Sequence, residues 1–338
     1  MGNLEVPNQP PVGASQNADI AQDPMVSVIM PTYNRADYLP QTLDSLRAQT
    51  MQNYELLIID DGSTDGTADL IRSRPEPIRY FWQENAGPAA ARNRGLKEAR
   101  GQLVAFLDSD DLWRPRFLEA MTDSLTHHPD LDVAFCKFET IDDQGRVLRG
   151  HYKKPHAGQI TEPLFASTFI TTPSVVARLQ VIRNAGGLNP ALLTNEDYDL
   201  WLRLSLHHRF GYVDEPLCLR RSHPGTQSRN GSPVPLIRKA QLLEGFLCEH
   251  GESAGIGTNL AHRRLAKVYR SAGKSSLRTH QYAQAREMFR RSLAYRPAAP
   301  RVWMRYLLAG LLGKTRRDQS PSLSNSSLQS VQSAKSAD

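Results

Sequence analysis

Leu103-Val104-Ala105-Phe106-Leu107-Asp108-Ser109-Asp110-Asp111 sets a run of apolar residues directly against three carboxylates. An apolar run without polar alternation is the mark of a strand buried on both faces, as in the centre of a parallel sheet. Open α/β sheets take their ligands at the carboxyl ends of such strands, where these acids fall. Carboxylates this close repel one another unless a cation compensates them. Mg2+ or Mn2+ fits, since each takes one or two carboxylates and completes its shell with water and substrate phosphates. A solvated acidic turn capping a helix that begins near Pro115 is the other reading of the same residues.

Outward from this stretch, similar runs recur: VSVIM at 26–30, ELLII at 55–59, IRYFW at 78–82 and VAFCKF at 133–138. Helical patterns separate them. Leu39, Leu43 and Leu46 form a stripe, Asp65 can cap a short helix over 67–73, and Gly87-Pro88 opens a helix near Ala89 that Gly101 ends. This alternation predicts an α/β fold with a mostly parallel central sheet flanked by helices.

The first run ends in Pro31-Thr32-Tyr33-Asn34-Arg35 and the second in Asp60-Asp61-Gly62-Ser63. Tyr33 is placed to stack on a nucleobase, and Asp60 or Asp61 to accept from a base N–H. An Asx-turn followed by a helix cap would use the second motif equally well. No G-x-G-x-x-G and no P-loop follows either run, which disfavours a dinucleotide or Walker-type site. Ala89-Ala90-Ala91-Arg92-Asn93-Arg94-Gly95 opens a helix with Arg92 and Asn93 beside an expected diphosphate, or simply packs an alanine-rich face. Thr194-Asn195-Glu196-Asp197 precedes the helical pattern Leu200, Trp201, Leu204, and so caps that helix or presents a general base. Arg220 and His223 lie downstream, where they meet the diphosphate or the metal, or belong to a loop without such a role.

The formal charge of +6 conceals a division: residues 1–230 hold 23 basic and 29 acidic side chains (net −6), and residues 231–338 hold 18 and 6 (net +12). Such a basic third suits an anionic membrane or an acidic partner. Its arginines alternate with apolar residues and no nucleic-acid motif accompanies them, so nucleic acid is not expected as a partner. Residues 261–296 read as two helices in which Ala285, Phe289 and Pro297 keep tetratricopeptide spacing, and a lone repeat of this kind must pack on the first domain or on a partner. Three scattered cysteines, Cys136, Cys218 and Cys248, form neither a disulfide framework nor a zinc site. With no bilayer-spanning run and no signal-peptide pattern, the expected place is the cytoplasm, with peripheral contact at the inner face of the plasma membrane through the C-terminal helices.

P-T-Y-N-R, D-D-G-S, A-R-N-R-G, D-S-D-D and E-D-Y-D-L-W occur in the order and approximate spacing of family 2 glycosyltransferases, and residues 25–230 resemble that family. The resemblance implies a GT-A nucleotide-diphospho-sugar transferase fold with a C-terminal α-helical extension. It implies an inverting transfer from a nucleotide-sugar donor, a UDP-sugar, to the hydroxyl of a saccharide or lipid-linked saccharide acceptor. Thr32, Tyr33 and Asp61 would hold the nucleoside, with Pro31, Arg35, Asp60, Arg92, Asp108 and Ser109 completing the nucleotide site. Asp108 and Asp110 would bind Mg2+ or Mn2+ with His223, Asp197 would be the catalytic base, and Glu196 and Trp201 would support the acceptor pocket. No Q-x-x-R-W motif appears, so a processive synthase is not expected. The rival reading is a non-catalytic interaction protein acting through its helical tail. The expected division is a disordered tail over 1–24, the catalytic domain over 25–230, a basic helical extension over 231–318 and a disordered serine-rich tail over 319–338.

Overall fold

The structure, a computed structural model, describes residues 23–148, 155–223 and 231–315. The two expected tails therefore lie outside the described residues, apart from Asp23 and Pro24. So do residues 149–154 and 224–230, the latter at the expected end of the catalytic domain.

The strand order β3-β2-β1-β4-β8-β6-β9-β5 defines a single sheet, with β7 attached to β6. Four strands follow the sequence reading: β1 (Val26–Thr32), β2 (Tyr54–Asp60), β3 (Ile78–Trp82) and β4 (Leu103–Phe106). All their mutual pairings are parallel, with Thr32 opposite Asp60 and Ile29 opposite Phe106. The P-T-Y, D-D-G and D-S-D-D motifs thus leave the sheet along one edge.

Burial on both faces explains these apolar runs. Val28, Met30, Leu56, Ile58 and Ala105 face one core with Leu39, Leu43 and Leu46 of α1 (Leu39–Arg47). Their sequence neighbours Ile29, Leu57, Ile59, Val104 and Phe106 face a second core, with Ala89, Ala91 and Leu96 of α3 (Pro88–Glu98). The period of two splits each strand between the layers. Gly95 is needed where α3 crosses β1, because a Cβ there would sit 2.5 Å from Ile29 Cγ2. The short α2 (Thr67–Arg72) lies between β2 and β3.

The other half of the sheet departs from the mostly parallel expectation. β8 (Val175–Arg178) runs antiparallel to both β4 and β6 (Val133–Ile141), and β5 (Leu112–Trp113) and β7 (Val147–Leu148) also pair antiparallel. Only β9 (Phe210–Arg221) is parallel to β6, with its register broken around Lys137. The sheet is therefore mixed, and the fifth apolar run of the sequence does not adjoin the fourth: β8 stands between them. Around it lie α4 (Phe117–Thr126), α5 (Thr161–Ala166), α6 (Leu179–Asn184) and α7 (Glu196–Ser205).

Four helices follow: α8 (Val234–His250), α9 (Thr258–Arg278), α10 (Tyr282–Tyr295) and α11 (Pro300–Thr315). The expected helix pair is α9 and α10, with Ala285 and Phe289 fully buried. It does pack on the first domain: Leu265 and Val268 of α9 and Met288 of α10 share one core with Phe165, Leu200 and Trp201. The cysteines form no disulfide, and burial pushes the Cys136 thiol up to about 12.

Candidate active site

A cleft of about 690 Å³ opens where β1, β2 and β4 end, lined by residues from each expected motif, among them Thr32, Tyr33, Asp61, Arg92, Asp110 and Asp197. Pro31, Arg35, Asp108, Ser109, Glu196 and Arg220 also line it. Tyr33 is half exposed there, at 46%. The hydroxyl of Thr32 is buried and has no partner.

Register separates the two aspartates that the sequence left equivalent. Asp61 lines the cleft, and its carboxylate accepts from Gln83 Nε2 at 2.7 Å, Ala86 N at 2.9 Å and Gly87 N at 2.8 Å. It thereby fixes the loop that starts α3. Asp60 points elsewhere: fully buried, it accepts from Ser63 N and from the Tyr80 hydroxyl at 2.7 Å, and it does not line the cleft. Its role is to hold the turn.

Arg92 organises the acidic wall. Its Nη2 donates to Asp108 Oδ1 at 2.6 Å and its Nη1 to Glu196 Oε1 at 3.1 Å, with the side chain 7% exposed. Burial opposes its charge, and Asp108 and Glu196 more than offset that, leaving its pKa above the ordinary arginine value. Glu196 is pushed up by burial and by the Asp197 charge, against the pull of Arg92. Asn93 does not line the cleft. It clasps the backbone of Leu188, donating to its carbonyl at 2.7 Å and accepting from its N–H at 2.9 Å.

Asp197 stands in the first turn of α7 after Asn195, whose positive φ of 65° turns the chain into the helix. Its Oδ2 accepts from the Thr172 hydroxyl at 2.9 Å, which fixes the carboxylate on the cleft wall. Asp199 instead binds Arg203 at 2.9 Å. Trp201 does not line the cleft: it is 1% exposed and packs edge-on against Phe106, since the α7 stripe containing it faces the core.

In the D-S-D-D turn, Asp110 Oδ2 lies 2.9 Å from His223 Nε2 and 3.5 Å from Arg35 Nε. His223 is buried under Tyr38, ring centroids 4.6 Å apart, and meets the site through Asp110. Burial, followed by the charges of Asp110 and Asp108, pushes the Asp111 carboxyl well above the usual carboxylate range. Among the described residues no cluster of three or more His, Cys, Asp or Glu forms a metal cage. The donors still fit Mg2+ or Mn2+, which bind through one or two carboxylates and the phosphates of a substrate rather than through an all-protein shell.

Sequence reasoning missed three supporting residues. Arg221 donates from its backbone to Asp111 at 2.7 Å and from its side chain to Asp110 O at 2.9 Å and Gln41 Oε1 at 2.7 Å. Asp111 lay inside the acidic stretch that was read for its charge, whereas Arg221 stood beside Arg220 with nothing in the sequence to link it to that turn. Thr172, in a Thr-Thr-Pro-Ser turn, carried no signal.

A mixed α/β sheet with this cleft at the carboxyl ends of β1, β2 and β4 has the arrangement of the GT-A fold. The profile described as Glycosyl transferase family 2 matches residues 27–184, and the chain belongs to that family. It is 46% identical over 186 residues to TuaG of Bacillus subtilis, a putative teichuronic acid biosynthesis glycosyltransferase, a match covering 54% of this chain and 72% of that one. An uncharacterized glycosyltransferase of Rickettsia felis is 32% identical over 212 residues; this match covers 62% of this chain and spans 35% of the longer relative. Among solved structures, TarS 1-349 of S. aureus aligns with a TM-score of 0.59 at 21% identity, over 85% of each chain, a likeness of fold. The same protein was solved in complex with UDP-GlcNAc.

Proposed function

We propose that this chain transfers a sugar from a nucleotide-diphosphate donor, a UDP-sugar, to the hydroxyl of a saccharide or lipid-linked saccharide in polysaccharide synthesis, inverting the anomeric carbon. One observation carries the reading: Asp197, oriented by Thr172, shares a cleft with Asp61, Arg92, Asp108 and Asp110, acids and a cation brought together from four separate stretches of sequence. The name of TuaG and the UDP-GlcNAc complex of TarS support the substrate classes.

In this reading Tyr33, Thr32 and Asp61 receive the nucleoside, and Arg35 and Arg220 face the diphosphate. Asp197 takes the proton of the acceptor hydroxyl as it attacks the face of the anomeric carbon opposite the leaving group. A single displacement of this kind inverts that carbon. Glu196, paired with Arg92, supports the acceptor side beside it. Asp110 and Asp108 would hold Mg2+ or Mn2+, with His223 behind Asp110. The ion would supply Lewis-acid stabilisation of the departing diphosphate.

Calorimetry of the full chain with UDP, dTDP, GDP and CMP, in Mn2+ and in EDTA, tests this. UDP is expected to bind with Mn2+ and to weaken about tenfold or more in EDTA, and Asp110→Ala is expected to erase that difference. Absence of binding by every nucleotide in Mn2+ overturns the donor reading. Equal affinity in EDTA removes the metal and leaves the rest.

A further inference from the structure

Helix α11 is apolar on two faces. Val302 and Ala309, 3% and 1% exposed, seat it on the Ala285 and Phe289 side of α10. The other face carries Trp303, Met304, Leu307, Leu308 and Leu311, between 45% and 65% exposed. These five positions follow a spacing of i, i+1, i+4, i+5 and i+8, one continuous stripe. Scattered exposed leucines need no explanation, but a stripe along one helix does.

Its surroundings say what covers it. From Met288 to Arg317 the sequence contains eight Lys and Arg and no acidic residue. Arg290 and Arg291 are engaged by Glu287, whereas no ion pair among the described residues involves Arg296, Arg301 or Arg305. A second copy of the same face would bring these cations together without a compensating carboxylate. An anionic lipid surface supplies the missing charge and accepts the apolar stripe at once. No described helix is long and apolar enough to cross a membrane, so α11 would lie in the interface plane. Trp303, 46% exposed on the stripe, is a residue type that favours the headgroup level.

We propose that the outer face of α11 is a docking surface for an anionic membrane, with Leu307, Leu308 and Leu311 entering the acyl boundary and Arg301 and Arg305 meeting headgroup phosphates. It stands on the surface of α11 alone and is independent of the reading of the cleft.

Sedimentation of the full chain with vesicles of phosphatidylcholine, with and without phosphatidylglycerol, tests it. Binding to the anionic vesicles at low salt, weakened by added salt, is expected. A Leu307→Asp, Leu311→Asp double variant is expected to bind them about tenfold or more weakly. Its thermal unfolding should match the parent's, because both side chains are already exposed. The proposal is overturned if the parent ignores anionic vesicles at low salt, or if the double variant binds them equally well. It is also overturned if light scattering shows a dimer that the variant converts to monomer, since the face then belongs to a second copy.

Discussion

Arg92 in the cleft and the Arg290–Arg291 pair on α10 both grip carboxylates, and solvent makes them different devices. Arg92 is 7% exposed and bridges Asp108 and Glu196, groups 16 and 104 residues away in sequence. Arg290 and Arg291, 61% and 40% exposed, bind Glu287 within one helical turn. A buried cation between two acids compensates charges that could not stay ionised alone, whereas an exposed pair is screened by water and salt. At the cleft wall, Arg92 is a charge carried into the interior to meet acids from distant parts of the chain.

The largest effect expected from this contrast is catalytic. Asp197→Asn keeps the shape and can still accept the Thr172 hydroxyl, yet cannot take a proton. Sugar transfer should slow by about 10²- to 10⁴-fold, with donor binding and thermal stability nearly unchanged. Steady-state transfer to any accepted saccharide checks this. Retained activity would move the base to Glu196 and would break the assignment of the cleft's charges to chemistry.

Next comes Arg92→Met, which leaves Asp108 and Glu196 facing each other without their cation. A loss of about 3 kcal/mol in denaturant unfolding is expected, the usual order for removing one partner of a buried pair. The loss should also depend on pH. Burial and Asp197 already hold the Glu196 carboxyl above its ordinary value, and removing Arg92 raises it further. A carboxyl whose folded pKa exceeds its unfolded one binds its proton in the native state first, so stability falls as pH rises through that interval. The variant should therefore lie closer to the parent near pH 5 than near pH 8, measured in EDTA. A deficit independent of pH would show that Arg92 acts by packing alone.

How much of this could be read beforehand follows from the same physics. The parallel half of the sheet was legible because strands buried on both faces are unbroken apolar runs: VSVIM, ELLII, IRYFW and LVAFL all became strands. The antiparallel half was not. β8 offers four residues, and β9 is interrupted by Asp214-Glu215-Pro216 where its register against β6 breaks. The cleft motifs converge as their placement at strand ends implied. Which neighbour faces the cleft, Asp61 or Asp60, was set by backbone register that no residue type announces. Trp201 was misplaced for a related reason: in an amphipathic helix a tryptophan of the acidic motif belongs to whichever face its angle selects, and here that is the core. Thr172 acts across 25 residues of sequence on Asp197, a distance at which local pattern is silent.

The smallest effect belongs to Glu287. Its carboxylate accepts from Arg290 Nε and Nη2, both at 2.7 Å, and from Arg291 Nε at 3.1 Å, and the hydrogen bond from Arg290 leads in drawing its pKa from 4.5 down to about 2. A group lowered in the folded state adds stability above its unfolded pKa and loses it as pH falls through the folded value. Glu287→Gln should thus cost most at neutral pH and nothing below about pH 2. The size is limited by exposure: 40% of the side chain meets solvent, and exposed pairs contribute about 0.2–1 kcal/mol. Arg291 also has a second carboxylate in reach, Glu244 at 3.7 Å, and a hydroxyl at 3.1 Å on Tyr269, so it can compensate in part. Denaturant unfolding at low and high salt should show a difference below about 1 kcal/mol that fades with salt. A loss as large as that of Arg92→Met, or one that salt leaves untouched, would mean that the α10 arginines are held as tightly as the cleft's, and exposure would no longer explain the contrast.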